Sequence, residues 1–125
     1  MFEIKDGHIY ITRGDIATIN ITARSDMNRK HIFEVGDVIR FKVTDKSDCG
    51  CVKLTKDIEV TEATPEVEIY LSHEDTKLDE VISKIKEYWY EVELNPNTAP
   101  QTIIGYDSKG AKKFILYPEG SDVNE

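Results

Sequence analysis

Apolar and polar residues alternate strictly along several short stretches of the chain, and a period of two marks a strand with one buried face. From Ile16 to Arg24, Ala17, Ile19, Ile21 and Ala23 fall on one side, and Thr18, Asn20 and Thr22 on the other. From Val38 to Thr44, Ile39, Phe41 and Val43 oppose Arg40, Lys42 and Thr44. The same rule predicts strands over His8–Thr12, Val52–Thr55, Ile58–Val60 and Val67–Leu71. Late in the chain Tyr88, Tyr90, Val92 and Leu94 alternate with Trp89, Glu91 and Glu93, and strands over Thr102–Tyr106 and Lys112–Tyr117 flank a turn at Asp107-Ser108-Lys109-Gly110. Eight or nine short strands divided by Gly, Asn, Asp and Pro predict a mainly β, antiparallel sandwich or barrel.

One stretch breaks the period of two. Ser72-His73-Glu74-Asp75 reads as a helix N-cap with an acid three residues on, and Leu78, Val81, Ile82 and Ile85 then follow a helical spacing, so one short helical segment is expected at an end of the sandwich. Two other sites repeat each other. Arg13-Gly14-Asp15-Ile16 and Val35-Gly36-Asp37-Val38 each set Gly-Asp before an alternating strand, where glycine supplies a positive φ and aspartate accepts from nearby amides. Arg13-Gly14-Asp15 also spells a cell-adhesion tripeptide, but the recurrence of Gly-Asp favours turn chemistry.

A length of 125 residues suits one domain with one core. Residues 1–118 are assigned to the β-sandwich domain and 119–125 to an acidic flexible tail without periodicity. No apolar run approaches the roughly 20 residues of a membrane-spanning helix, and the charged start at Glu3, Lys5 and Asp6 is unlike a secretory signal, so synthesis and retention in the cytoplasm are expected. A net charge of −8, with 16 basic residues dispersed among 24 acids, disfavours nucleic acid as a partner.

Candidate chemistry is sparse. His8, His31 and His73 fall in a strand start, a loop and a helix start, with no nucleophile motif beside them, and read as surface or capping residues. Cys49 and Cys51 flank one glycine, too close for an unstrained disulfide, and read as free thiols. They would bind metal only if a second subunit completed the ligand set. Asp45-Lys46-Ser47-Asp48 lacks the ligand spacing of a calcium loop and reads as a solvated turn. No catalytic, cofactor-binding or metal-binding residue is assigned, and the chain is expected not to be an enzyme. Trp89 stands apart: alternation sets it on the face of Glu91 and Glu93, opposite the core positions, and an outward tryptophan suits an interface. Trp89, Glu91 and Glu93 are therefore the candidate interface, the competing reading being that a neighbouring segment covers the indole.

In order along the chain, ITRGDIATINITA, FEVGDVIRFKV, LSHEDTKL and YWYEVEL resemble the N-terminal β-sandwich domain of upper baseplate proteins from phages of Gram-positive hosts. The resemblance runs from about Ile9 to Tyr117 and rests on fold motifs. The family joins its LSHEDT-like turn to the Tyr-rich strand through a short Pro/Gly link, where this chain has a fuller helical pattern from Asp79 to Lys86. The resemblance implies an immunoglobulin-like sandwich that acts as a structural module of a phage or prophage tail, with other tail or baseplate proteins or further copies of itself as partners. It also implies a place in the virion tail after synthesis in a bacterial cytoplasm. The competing function is a carbohydrate- or adhesion-recognition module, with a host glycan as partner.

Overall fold

The computed structural model describes residues 2–23, 31–45, 51–78, 84–105 and 110–119. Nine strands follow one another: β1 (Phe2–Lys5), β2 (His8–Thr12), β3 (Ala17–Ile21), β4 (Val38–Thr44), β5 (Val52–Glu59), β6 (Val67–Leu71), β7 (Lys86–Leu94), β8 (Gln101–Ile104) and β9 (Lys112–Tyr117). Seven form one sheet in the order β1-β2-β9-β7-β4-β5, with β8 also paired to β7, while β3 and β6 form a separate two-stranded sheet.

Alternation explains these elements. Along β4, Ile39, Phe41 and Val43 are fully buried, and along β7 so are Tyr88 and Val92. The small sheet contributes Ala17, Ile19 and Ile21 from β3 and Val67, Ile69 and Leu71 from β6 to the same core. Phe41 lies at its centre, with ring centroids 5.5 Å from Tyr90 and 6.3 Å from Phe114. Phe33, bridged to Thr64 outside the regular strands, is also fully buried. The larger sheet thus has an inner face against the small sheet and an outer face away from it.

Three expectations need correction. The sheet is mixed, because β2 runs parallel to β9, with Ile9 opposite Phe114 and Ile11 opposite Leu116. A parallel pair cannot be closed by a hairpin, and here its strands come from opposite ends of the described chain, a pairing that local alternation does not encode. The stretch Val52–Thr55 and all but the last residue of Ile58–Val60 belong to one strand, β5, which runs unbroken through Lys56 and Asp57 and ends at Glu59. Finally, the described residues contain no helix. Ser72 and Asp75 do form the reciprocal bonds of a capping box: the Asp75 amide donates to the Ser72 hydroxyl at 3.2 Å, and the Ser72 amide to the Asp75 carboxylate at 2.9 Å. They close a single turn over His73–Thr76. Of the helical pattern beyond it, Val81 and Ile82 lie outside the described residues, and Ile85 is exposed.

β1 is not among the expected strands although Phe2 and Ile4 alternate with Glu3 and Lys5: the stretch is four residues long, too short for the period to stand out, and all four residues are exposed. Both Gly-Asp sites are turns with positive φ, +88° at Gly14 and +94° at Gly36. Arg13 continues the β2–β9 pairing, its amide donating to the Tyr117 carbonyl at 2.9 Å, and its side chain is buried, so Arg13-Gly14-Asp15 is not displayed as an adhesion loop. Of the assigned tail, Glu119 is half-buried with its carboxylate over Gly14, and residues 120–125 lie outside the described residues.

Candidate functional site

β7 is the spine of the outer face. Register sets Trp89 between Thr44 of β4 and Lys113 of β9, Glu91 opposite Lys42, and Glu93 between Arg40 and Thr102. Alternation thus placed Trp89, Glu91 and Glu93 correctly on one face, each half-buried. The two carboxylates share one cation: the Lys42 ammonium lies 3.2 Å from Glu91 and 3.9 Å from Glu93. Beside them Arg40 forks onto Asp57 at 2.9 and 3.0 Å, which lowers the Asp57 carboxyl below its ordinary pKa and raises that of the guanidinium. At the other end Lys113 reaches Glu87 at 3.4 Å. Much of the acidity of β7 is therefore balanced by its neighbours.

The register adds residues that the sequence reading missed. On β2 and β9 the inward positions are Ile9, Ile11, Phe114 and Leu116, so Tyr10, Ile115 and Tyr117 share the outer face with Trp89. Tyr10 stands opposite Ile115, and Ile115 lies diagonal to Trp89, close enough for large side chains to share one patch. Ile115 is buried although it belongs to the outer face. Its only signal in the sequence is the run Phe114-Ile115-Leu116-Tyr117, apolar on both faces of the strand expected over Lys112–Tyr117.

The opposite side of the same sheet carries a cleft. β8 and β9 lie along the same edge of β7: Ile104 is opposite Val92 and Lys112 opposite Tyr90, two positions apart on β7 but eight apart in sequence. One strand is thus interrupted by an excursion. A cleft of about 510 Å³ opens at the interruption, walled by Ile4, Gly7, Ile19, Ile21, Tyr90, Ile103, Ile104 and Lys112 among others. A bulge opposite Val92 and Glu93 accompanies the turn of both Ile103 and Ile104 towards the core. The Tyr90 hydroxyl donates to the Gly7 carbonyl, and burial pushes its pKa up to about 12.

The remaining candidates are scattered. His8 Nδ1 accepts from the Lys113 amide at 3.0 Å. His31 stands edge-on to Phe33 at 5.2 Å, with Nε2 buried and without a hydrogen bond. His73 is exposed in the turn after β6. Among the described residues no group of three or more His, Cys, Asp or Glu is placed to hold a metal. Cys51 is a free, exposed thiol at the start of β5, and Cys49 lies outside the described residues. Asp45 closes the β4–β5 connection, accepting from the Cys51 amide at 2.8 Å, while Lys46, Ser47 and Asp48 are outside the described residues.

Comparison with family models, with curated proteins and with solved structures finds no match to this chain.

Proposed function

We propose that the chain is a non-enzymatic structural module of a phage or prophage tail or baseplate, an immunoglobulin-like sandwich that works through protein-protein contacts. The outer face of the seven-stranded sheet is the observation that carries this reading. It carries Trp89, Ile115, Tyr10 and Tyr117 on one face, bordered by ion pairs of Lys42 and Lys113. Aromatic anchors inside a polar rim are the composition of protein interfaces, where large rigid rings contribute much of the binding energy. Lys42 offsets one of the two charges of Glu91 and Glu93, so a partner covering them meets one uncompensated negative charge rather than two.

Trp89 is the single tryptophan of the chain and reports on its own surface. Light scattering over a range of concentrations, followed in parallel by Trp89 emission, should show a defined oligomer whose formation shifts the emission to the blue, with Trp89→Ala reverting to monomer. A strict monomer that also fails to associate with tail proteins encoded beside it would refute the reading. The glycan alternative calls for an indole open to a sugar, and a saturable change in Trp89 emission on sugar titration would favour it.

A further inference from the structure

The two layers differ in width. The larger sheet is six strands across, and the small sheet only two. On β1, Phe2 and Ile4 pair with Ile11 and Ile9 and share their inward side, yet they are 37% and 49% exposed, because the small sheet does not reach them. Beside that uncovered strip lies β3, whose only strand partner among the described residues is β6. Ile19, Asn20 and Ile21 of β3 form one wall of the 510 Å³ cleft, with Ile4, Ile103 and Ile104 among its other walls. A strand edge that no other described strand pairs, beside an apolar floor, is what a missing third strand of the small sheet would leave.

We infer that this slot receives one extended segment of a partner protein, added as a strand against β3. β3 carries none of the devices that protect an edge: Ala-Thr-Ile-Asn-Ile contains no charge, no proline and no bulge. Of the other edges, β1 carries Glu3 and Lys5, β5 carries Lys53, Lys56, Asp57 and Glu59, and Glu66 and Glu68 lie beside and within β6, while β8 is uncharged but shorter and bulged against β7. Five residues at about 3.4 Å each give a docking length of about 17 Å. Main-chain bonds to β3 would supply affinity, and alternate side chains would supply selectivity.

The chemistry of the segment follows from the two sides it meets. Its inward residues rest on Ile4, Ile103 and Ile104 and are apolar, and Lys112, the one charged side chain among those lining the cleft, disfavours a cation there. Its outward residues continue the outer surface of the small sheet, where Asn20 stands opposite Glu68. With Glu68 on that surface and a net charge of −8, the outward positions suit lysine or arginine. The inference adds a second contact surface without resting on the tail assignment, since the slot and the Trp89 patch lie on opposite faces of the sheet.

Titration of the full chain with a capped six-residue peptide of alternating lysine and valine, followed by calorimetry, tests the inference. Saturable binding with Kd below about 1 mM is expected. Two versions N-methylated on alternate residues should differ, the one blocked towards β3 binding at least about tenfold more weakly and the other nearly unchanged. Ile4→Lys, a change at an exposed position, should weaken binding similarly, and a glutamate-for-lysine peptide should bind less well. Equal behaviour of the two methylated peptides, no binding at millimolar peptide, or self-association abolished by Ile4→Lys would each overturn it, the last in favour of a second copy.

Discussion

Thr76 offers a sharp test of how the chain holds itself together. It is fully buried, although it sits in a turn. Its hydroxyl accepts from the Gly14 amide at 2.9 Å and donates its one hydrogen to the Asp15 carbonyl at 2.9 Å. The turn after β6 is thereby locked to the Gly-Asp turn before β3, across more than sixty residues of sequence. Thr76→Val keeps the shape and removes both bonds, taking the hydroxyl away from the part-buried Gly14 amide and Asp15 carbonyl. At about 0.5–1.5 kcal/mol per bond, the loss should be about 1–3 kcal/mol. Thr76→Ser keeps the hydroxyl and removes one methyl, at a cost of about 0.8 kcal/mol. In urea, with a slope of about 1–3 kcal/mol per molar, the valine variant should unfold about 1 M earlier than the parent, and the serine variant in between. Amide exchange at Gly14 adds a local reading: protection should fall in the valine variant and survive in the serine variant. A valine variant as stable as the parent, or more stable than the serine one, would show that packing and not the hydroxyl holds the two turns.

Burial alone would raise the Asp75 carboxyl, but its bonds to Lys56 at 2.9 Å and to Ser72 outweigh that and hold it below the ordinary range. A depressed carboxylate contributes stability that is complete above its unfolded pKa of about 3.9 and is lost as pH falls through the folded value, so the deficit of Asp75→Asn, read by thermal unfolding, should shrink below about pH 4. Tyr90 has the opposite sign: its phenol, raised to about 12, contributes stability that is whole below pH 10 and drains away as pH climbs towards 12, so Tyr90→Phe should be less stable at pH 7 by about 1 kcal/mol yet lose less on alkaline titration. Asn95, at φ +49°, accepts from the Val38 amide at 2.8 Å and donates to Asp37 at 3.2 Å. Asn95→Gly should cost about 1–2 kcal/mol in denaturant unfolding, and Asn95→Ala about 1 kcal/mol more, because alanine also resists the left-handed backbone.

Much of this architecture was legible because burial and alternation coincide in it. β4, β6 and β7 were read within a residue or two of their ends, since each buries every second side chain. The outward placement of Trp89, Glu91 and Glu93 came from the same rule. What failed was contrast or distance. β1 alternates Phe2 and Ile4 with Glu3 and Lys5 over only four residues, too few for the period to stand out, and β5 carries Lys56 and Asp57 through its middle because Lys56 reaches Asp75 and Asp57 reaches Arg40. The capping box at Ser72 formed as read, but a capping box fixes only the first turn, and Thr76 is drawn to the Gly14 turn. The aromatic patch and the cleft were out of reach for another reason. Both depend on β9 lying between β2 and β7, and that order is set by contacts between distant parts of the chain.

Both proposed surfaces depend on the register of one strand. Side chains in β7 alternate between the faces, so a slip of one residue would carry Trp89, Glu91 and Glu93 inward and turn Tyr88, Tyr90 and Val92 out to solvent. Such a slip would bury charge and expose aromatic surface, but the sheet also holds its register through specific bonds. At the end of β7, Asn95 and Val38 exchange bonds, the Asn95 amide reaching the Val38 carbonyl at 2.7 Å and the Asn95 side chain receiving the Val38 amide. Asp37, in the turn built on Gly36, holds the same asparagine. Near the other end of the β7–β9 pairing, Tyr90 is anchored to Gly7 in the β1–β2 turn. The Gly36-Asp37 turn therefore does more than start β4: through Asn95 it fixes which residues of β7 face the patch and which face the cleft.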